Sequence, residues 1–345
     1  MRAVRIHECG GLENVRLEEV GRPECGPEDA IVEVRAAALN HLDIWVCSGT
    51  PRPPLPHTLG SDAAGVVVEV GRAVQGLQAG DEVLVDPGIS CGRCAACLAG
   101  EQSQCETFGL VGERYPGAFA DYLRVPASNC YPRPRGYSWE EAAAFPLVFL
   151  TAYRMLSTRA QLRAGESVLI VGVGGGVSTA ALSLARAIGA RAIVTSSSDE
   201  KIARACALGA AGGVNYRSLK PREVARAARD LNGSNGFDVV VDSVGEASWP
   251  SSLAALRKGG RLVTCGATTG GGPPADLQRI FWHQLSILGS TMGTPREMRE
   301  VLRLANSGLV RPVIDSIHPL EAAREAMARL AEGRQFGKIV LRLRP

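Results

Sequence analysis

From Glu166 to Gly293 the chain alternates short apolar runs with amphipathic ones. SVLIVGV (167–173) reads as a buried strand, and VSTAALSLARAIG (177–189) as a helix that ends at Gly189. RAIVTSSS (191–198) is a second strand, DEKIARACALGA (199–210) a helix, GVNY (213–216) a third strand and PREVARAARDL (221–231) a further helix. FDVVVDSVG, RLVTCGA and LSILGSTMG supply more strands. The strands are short continuous apolar runs and the helices carry a 3.6-residue period. Such alternation restricts this half of the chain to a parallel, doubly wound α/β sheet.

The first turn of that pattern is Gly172-Val173-Gly174-Gly175-Gly176-Val177-Ser178, placed between strand and helix. Glycines there let backbone N–H groups approach a pyrophosphate, and the helix N-terminus adds about half a positive charge. In this strand–turn–helix context the loop implies a bound dinucleotide. Gly174, Gly175, Gly176 and Val177 are the expected contacts. Ser178 stands where a third glycine is usual, and its small hydroxyl still allows close packing. NAD-selective sites place Asp or Glu at the end of the second strand. Here that position holds Thr195-Ser196-Ser197-Ser198, with no acid before Asp199. Ser196, Ser197, Ser198 and Lys201 suit a 2′-phosphate through charge-assisted bonds, and Tyr216 and Arg217 close the adenosine end. The serines also serve as ordinary helix caps. NADPH is expected rather than NADH.

A second motif lies upstream. Cys91, Cys94, Cys97 and Cys105 stand in CGRCAACLAGEQSQC. Four thiolates so close suit one tetrahedral zinc with no open coordination position, which makes the site structural. Iron–sulfur clusters use similar runs. The other cysteines (Cys9, Cys25, Cys47, Cys130, Cys206 and Cys265) are scattered singly, as in reduced cytoplasmic proteins. The net charge of +3 is dispersed, so nucleic acid is not an expected partner. No apolar run is long enough to span a bilayer. Lysine occurs only at Lys201, Lys220, Lys258 and Lys338.

Length 345 favours two domains. Residues 1–130 read as short strands broken by turns, an irregular β domain. EEAAAFPLVFLTAYRML reads as a helical pair around Pro146. The tail holds the helices REMREVLRLANSG and EAAREAMARLAEG and the strand GKIVLRL, which is expected to return to the first domain.

Together, ALNHLDIWVCSG, LGSDAAGVVVEVG, the four-Cys lobe, GAFADYLRVP, AAAFPLVFLTAY, GVGGGVSTAALSLARAIGA and FGKIVL resemble the medium-chain dehydrogenases/reductases, the superfamily of zinc alcohol dehydrogenases and quinone reductases. The resemblance covers essentially the whole chain. It implies a GroES-like β domain at 1–149 bearing the zinc lobe at 91–105, a Rossmann domain at 150–290, and a return to the first domain at 291–345. It implies a cleft between the domains, and a homodimer (or tetramer) formed through the Rossmann edge strand in SILGSTMG. Ser243, Val244, Gly266, Ala267 and Lys338 join the expected cofactor contacts.

The departures from the family point to the chemistry. Members with a catalytic zinc hold it on Cys, His and Cys, with Glu beside the His. Those positions fall on Asn40, Ser61-Asp62 and Leu147, and the proton-relay positions fall on Leu42 and Trp45. Such a set is a poor one for zinc. The resemblance is therefore to the quinone and enone/enoyl reductase branch, with hydride passing from NADPH to a small molecule. A zinc-dependent alcohol dehydrogenase and a nucleotide-binding protein or narrow biosynthetic reductase with little turnover remain the alternatives. Asn40, Asp62 and Thr151 are the catalytic candidates. Asp43 is expected to fix its loop, His41 and His57 to flank the cleft, and Trp45 and Leu147 to line an apolar pocket. No tyrosine stands near residue 50, where some enoyl reductases of this family carry a proton donor.

Overall fold

The structure, a computed structural model, describes residues 1–344. The chain divides into two compact units. One comprises 1–147, 293–306 and 312–345, and the other 148–292 and 307–311.

The second unit is a six-stranded parallel sheet. Its spatial order is Gly213–Asn215, Arg191–Ser196, Ser167–Ile170, Phe237–Asp242, Leu256–Thr264 and Ser286–Gly289. This is the doubly wound order 3-2-1-4-5-6, which reverses direction between the first and fourth strands. Val168, Leu169 and Ile170 are buried because helices cover both faces of the sheet. Two helices here escape a sequence reading, Trp249–Ala255 and Leu277–His283. The second exposes Leu277, Phe281 and Trp282, each about 70% accessible, so its apolar pattern does not mark a buried face. The last strand, Ser286–Gly289, ends the sheet and leaves Ile287 exposed.

The first unit is built on a seven-stranded sheet. Its path runs Cys130–Pro132, Glu82–Val85, Asp62–Val70, Asp29–Ala38, Lys338–Arg342 and Ile314–Pro319, with Tyr122–Pro126 also paired to Asp29–Ala38. The final strand does return here, antiparallel to Asp29–Ala38 in the register Val340↔Ala38. Strand Ile314–Pro319, parallel to it, is an element the sequence did not reveal. Nor is the region before residue 130 all strand and turn. Helix His41–Ser48 follows Asn40 directly, because Asn40 and Asp43 form a capping box. Two registers matter for the site. Asp62 pairs with Ala38, and Ala63 pairs with Val85. Three strand ends therefore bring Asn40, Asp62 and Lys338 together, and continued register sets Asp86 opposite Asp62.

Candidate active site

The glycine loop is held by its neighbours. Gly172 and Gly174 have φ of +70° and +128°, a region that disfavours a side chain. The Gly172 N–H donates to Thr195 Oγ1 (3.1 Å) and the Val173 N–H to Thr195 O (2.7 Å), which ties the loop to the second strand. The Ser178 hydroxyl donates to Gly172 O (3.1 Å) and Gly175 O (2.9 Å), so the departure from glycine braces the turn. Gly175 caps helix Gly176–Ile188, and first-turn N–H groups such as those of Gly176 and Val177 lack a carbonyl four residues back.

At the C-terminal ends of these strands lies a cavity of 310 Å³, lined among others by Thr195, Tyr216, Val224, Val244, Ser248 and Thr269. Its place beside the loop and its size suit the adenosine half of a dinucleotide. The buried Asp242 shapes its wall by accepting from the N–H groups of Val244 (2.8 Å) and Gly245 (3.1 Å) and the hydroxyls of Ser248 and Ser252. Sequence reasoning missed Asp242, although DSVGEAS is legible as a strand end followed by a turn. Ser196 Oγ accepts from Ser198 N, and Ser198 Oγ caps the next helix by accepting from Lys201 N (3.3 Å). Ser197 is half-buried beside them. Asp199, the nearest acid, is occupied by Asn215 Nδ2 (2.9 Å). Ser243 O accepts from Thr268 Oγ1, and Gly266 O from Thr264 Oγ1. Ala267 O accepts from Gly270 N. Thr151 is buried, and its hydroxyl meets Met292 Sδ at 3.6 Å.

The first unit holds a buried polar cluster. Lys338 Nζ donates to Asn40 Oδ1 (2.5 Å) and Asp62 Oδ2 (2.9 Å). Asn40 Nδ2 donates to Asp62 Oδ2 (2.9 Å), and Leu147 N donates to Asp62 Oδ1 (2.9 Å). Lys338 and Asp62 are 3% and 0% exposed, so this ion pair is desolvated. Lys338, expected among the cofactor contacts, thus spends two of its three donors inside the protein. The arrangement does not fit a catalytic zinc. The side-chain oxygens of Asn40 and Asp62 already face an ammonium, and Leu147 offers no donor atom. Among the described residues, the only cluster of three or more His, Cys, Asp or Glu that could hold an ion is the four-cysteine one.

Two acids beside this cluster titrate unusually. Burial pushes the Asp43 carboxyl up to about 7, against the Asn40 N–H and the Lys338 charge. Asp43 Oδ2 accepts from Asn40 N (2.7 Å), the local bonding expected of it. Burial also pushes Asp86 up to about 7, against the Gly88 N–H and with Asp62 adding repulsion. No pattern in the sequence marks Asp86; only the strand register sets it across from Asp62. His57 is buried, its Nε2 has no hydrogen-bond partner among the described residues, and burial lowers its pKa. Burial also lowers that of His41, which packs edge-on to Trp45 at 5.1 Å. Both rings are therefore held toward the neutral form. The raised Asp86 pKa has a consequence for stability. The folded state holds this proton more tightly than the unfolded chain. The resulting stabilisation is complete below the ordinary value of 3.8 and is lost as pH rises through about 7. Asp86→Asn should raise stability by about 2–4 kcal/mol at pH 8.5 and by about half as much at pH 5.5. Urea denaturation at the two pH values checks this; equal shifts would contradict it.

The four cysteine sulfurs lie within 4.8 Å of one another, with Cys91 and Cys97 at 4.0 Å. A tetrahedron with Zn–S bonds of about 2.3 Å has edges of about 3.8 Å, so the set fits zinc. The N–H of Cys94 points at Cys91 Sγ and that of Cys91 at Cys105 Sγ, both at 3.3 Å, as suits thiolates. None of the four is in a disulfide.

Comparison with known proteins bears on the whole chain. Residues 26–135 match the alcohol dehydrogenase GroES-like domain and residues 176–307 the zinc-binding dehydrogenase domain. An NAD-dependent alcohol dehydrogenase of Sulfolobus acidocaldarius is 33% identical over 99% of this chain and 100% of its own. A crystal structure of an NAD-dependent alcohol dehydrogenase is 43% identical, with a TM-score of 0.95, over 99% of this chain and 100% of that one. A crotonyl-CoA carboxylase/reductase solved in complex with NADP is 26% identical, with a TM-score of 0.93, over 99% of this chain and 95% of that one. With the parallel 3-2-1-4-5-6 sheet, its glycine loop and the zinc-type cysteine set, these matches establish that the chain belongs to the medium-chain dehydrogenase/reductase superfamily and is an NAD(P)H-dependent oxidoreductase.

Proposed function

We propose that the protein is an NADPH-dependent reductase of quinones and of C=C bonds conjugated to a carbonyl, acting without a catalytic metal and as a homodimer joined through the exposed Ser286–Gly289 edge. The observation that carries this reading is the Lys338–Asp62–Asn40 cluster. It fills with an ammonium the positions from which related alcohol dehydrogenases would hold zinc. An alcohol then has neither a Lewis acid nor a free base to take its proton. Asp62 is fully engaged, and its three hydrogen-bond donors come from Leu147, Asn40 and Lys338.

When bound, the nicotinamide supplies a hydride, which an enone or quinone accepts without prior deprotonation. The chain's own groups position and balance charge. Asp62 balances the Lys338 charge, and Asn40 fixes the ammonium's direction. Lys338 has one N–H left over from these bonds and would be one of the groups that hold the cofactor. The proton that completes the reduction comes from water. The missing acid before Asp199, and the engagement of Asp199 by Asn215, support NADPH over NADH.

The test is a panel on one preparation whose mass by light scattering is that of a dimer. Quinones and enones should drive oxidation of NADPH faster than of NADH, and Lys201→Ala should narrow that preference about tenfold, a typical charged hydrogen-bond contribution. Zinc-dependent oxidation of simple alcohols with no reductase activity would replace this reading by the alcohol dehydrogenase one.

A further inference from the structure

We infer that the protein carries a second anion site, separate from the dinucleotide loop, that takes a compact oligophosphate. The site is a cavity of 260 Å³ in the second unit, lined by Arg222, Arg226 and Arg229 of helix Pro221–Leu231, by Arg279 of helix Leu277–His283, and by Ser234 and Asp230. The spacing 222, 226, 229 puts three guanidiniums on one helix face. The opposite face is anchored by the buried Val224 and Ala228, which holds the helix in place behind its arginine face.

The charges here are not balanced from within. Two arginines elsewhere in the same unit are paired with acids, Arg257 with Asp238 at 2.6 Å and Arg261 with Glu166 at 2.5 Å. Arg279 is held by Asp276 at 3.2 Å. Among the described residues Arg222, Arg226 and Arg229 form no ion pair, and the one acid lining the cavity, Asp230, accepts from Ser234 Oγ at 3.3 Å. Like charges one helical turn apart repel. Four guanidiniums around one concavity give that repulsion a use, because each offers a planar fork that matches phosphate oxygens. The ligand class follows from shape as well as charge. A concavity of this size, open to solvent on one side, admits two or three linked phosphates. A nucleic-acid backbone would need an extended basic stripe, and the chain's net charge of only +3 provides none. The site is also distinct from the adenosine cavity. The two share only Ala225, and the adenosine cavity is lined by apolar and hydroxyl-bearing side chains without a single arginine.

Calorimetric titration of the full-length protein with inorganic tripolyphosphate, at saturating NADPH and constant ionic strength, tests this. One saturable site per chain is expected, with affinity at least tenfold above that for sulfate. Arg226→Ser with Arg229→Ser should weaken it at least tenfold and leave NADPH affinity unchanged. Arg226→Lys with Arg229→Lys should lie between, since the charge remains and the fork is lost. No saturable binding, equal response to sulfate, or indifference to the serine variant would overturn the site. Loss of tripolyphosphate binding on saturation with NADPH would do the same by assigning it to the cofactor loop.

Discussion

Cys94→Ser is expected to destabilise the protein more than any other single change outside its core. The segment from Cys91 to Cys105 contains only a four-residue helix, Ala95–Leu98, and a 3-10 turn, and Leu98 is 77% exposed. It has almost no apolar core of its own, so the metal takes that place. Structural zinc binding is worth on the order of 10 kcal/mol at neutral pH, and folding shares in it. The lobe is attached to the first unit by strands Gly88–Ile89 and Gly109–Leu110 and by Asn129, whose amide donates to Asp86 O (2.8 Å) and Gly88 O (2.7 Å). Losing the metal should therefore lower the melting temperature of the whole unit and expose it to proteolysis near Cys91. Zinc release titrated with a thiol reagent should give one equivalent per chain. Two tightly held zincs, or iron with sulfide, would contradict this assignment.

Lys338→Met should be nearly as damaging, by a different route. It leaves the Asp62 carboxylate, 0% exposed, without a counter-charge. Breaking a buried pair in this way costs about 3–5 kcal/mol, whereas replacing both partners costs much less. Lys338→Met with Asp62→Asn should thus recover most of the loss seen in Lys338→Met alone, and urea denaturation of the two variants measures the difference. Additive losses would show that the ion pair is not the unit of stability. Cofactor affinity gives a separate readout, because the double variant restores the fold without restoring the cation. It should bind NADPH more weakly than the parent.

What the sequence made legible was local chemistry. Four cysteines within one short segment, and glycines between a strand and a helix, carry their meaning in their spacing. The N-x-x-D run at Asn40–Asp43 is of the same kind, and it proved to be a capping box. What stayed hidden was long-range or atypical. Lys338 and Asp62 are 276 residues apart, and no periodicity places one against the other. The opposition of Asp86 and Asp62 exists only through strand register. Helix His41–Ser48 buries Asp43, Val46 and Cys47, too mixed a set to show a clean apolar stripe. Helix Leu277–His283 turns its large apolar residues outward, which inverts the usual signal.

The claim that this site reduces conjugated C=C bonds is tested most directly by the fate of one atom. The enzyme is supplied with NADPH deuterated at C4 and a cyclic enone, and the product is analysed by NMR. The expected product is a saturated ketone with one deuterium on the β-carbon, formed by protein carrying a single zinc per chain. Deuterium on the carbonyl carbon of an allylic alcohol, formed only when a second zinc is bound, would contradict it.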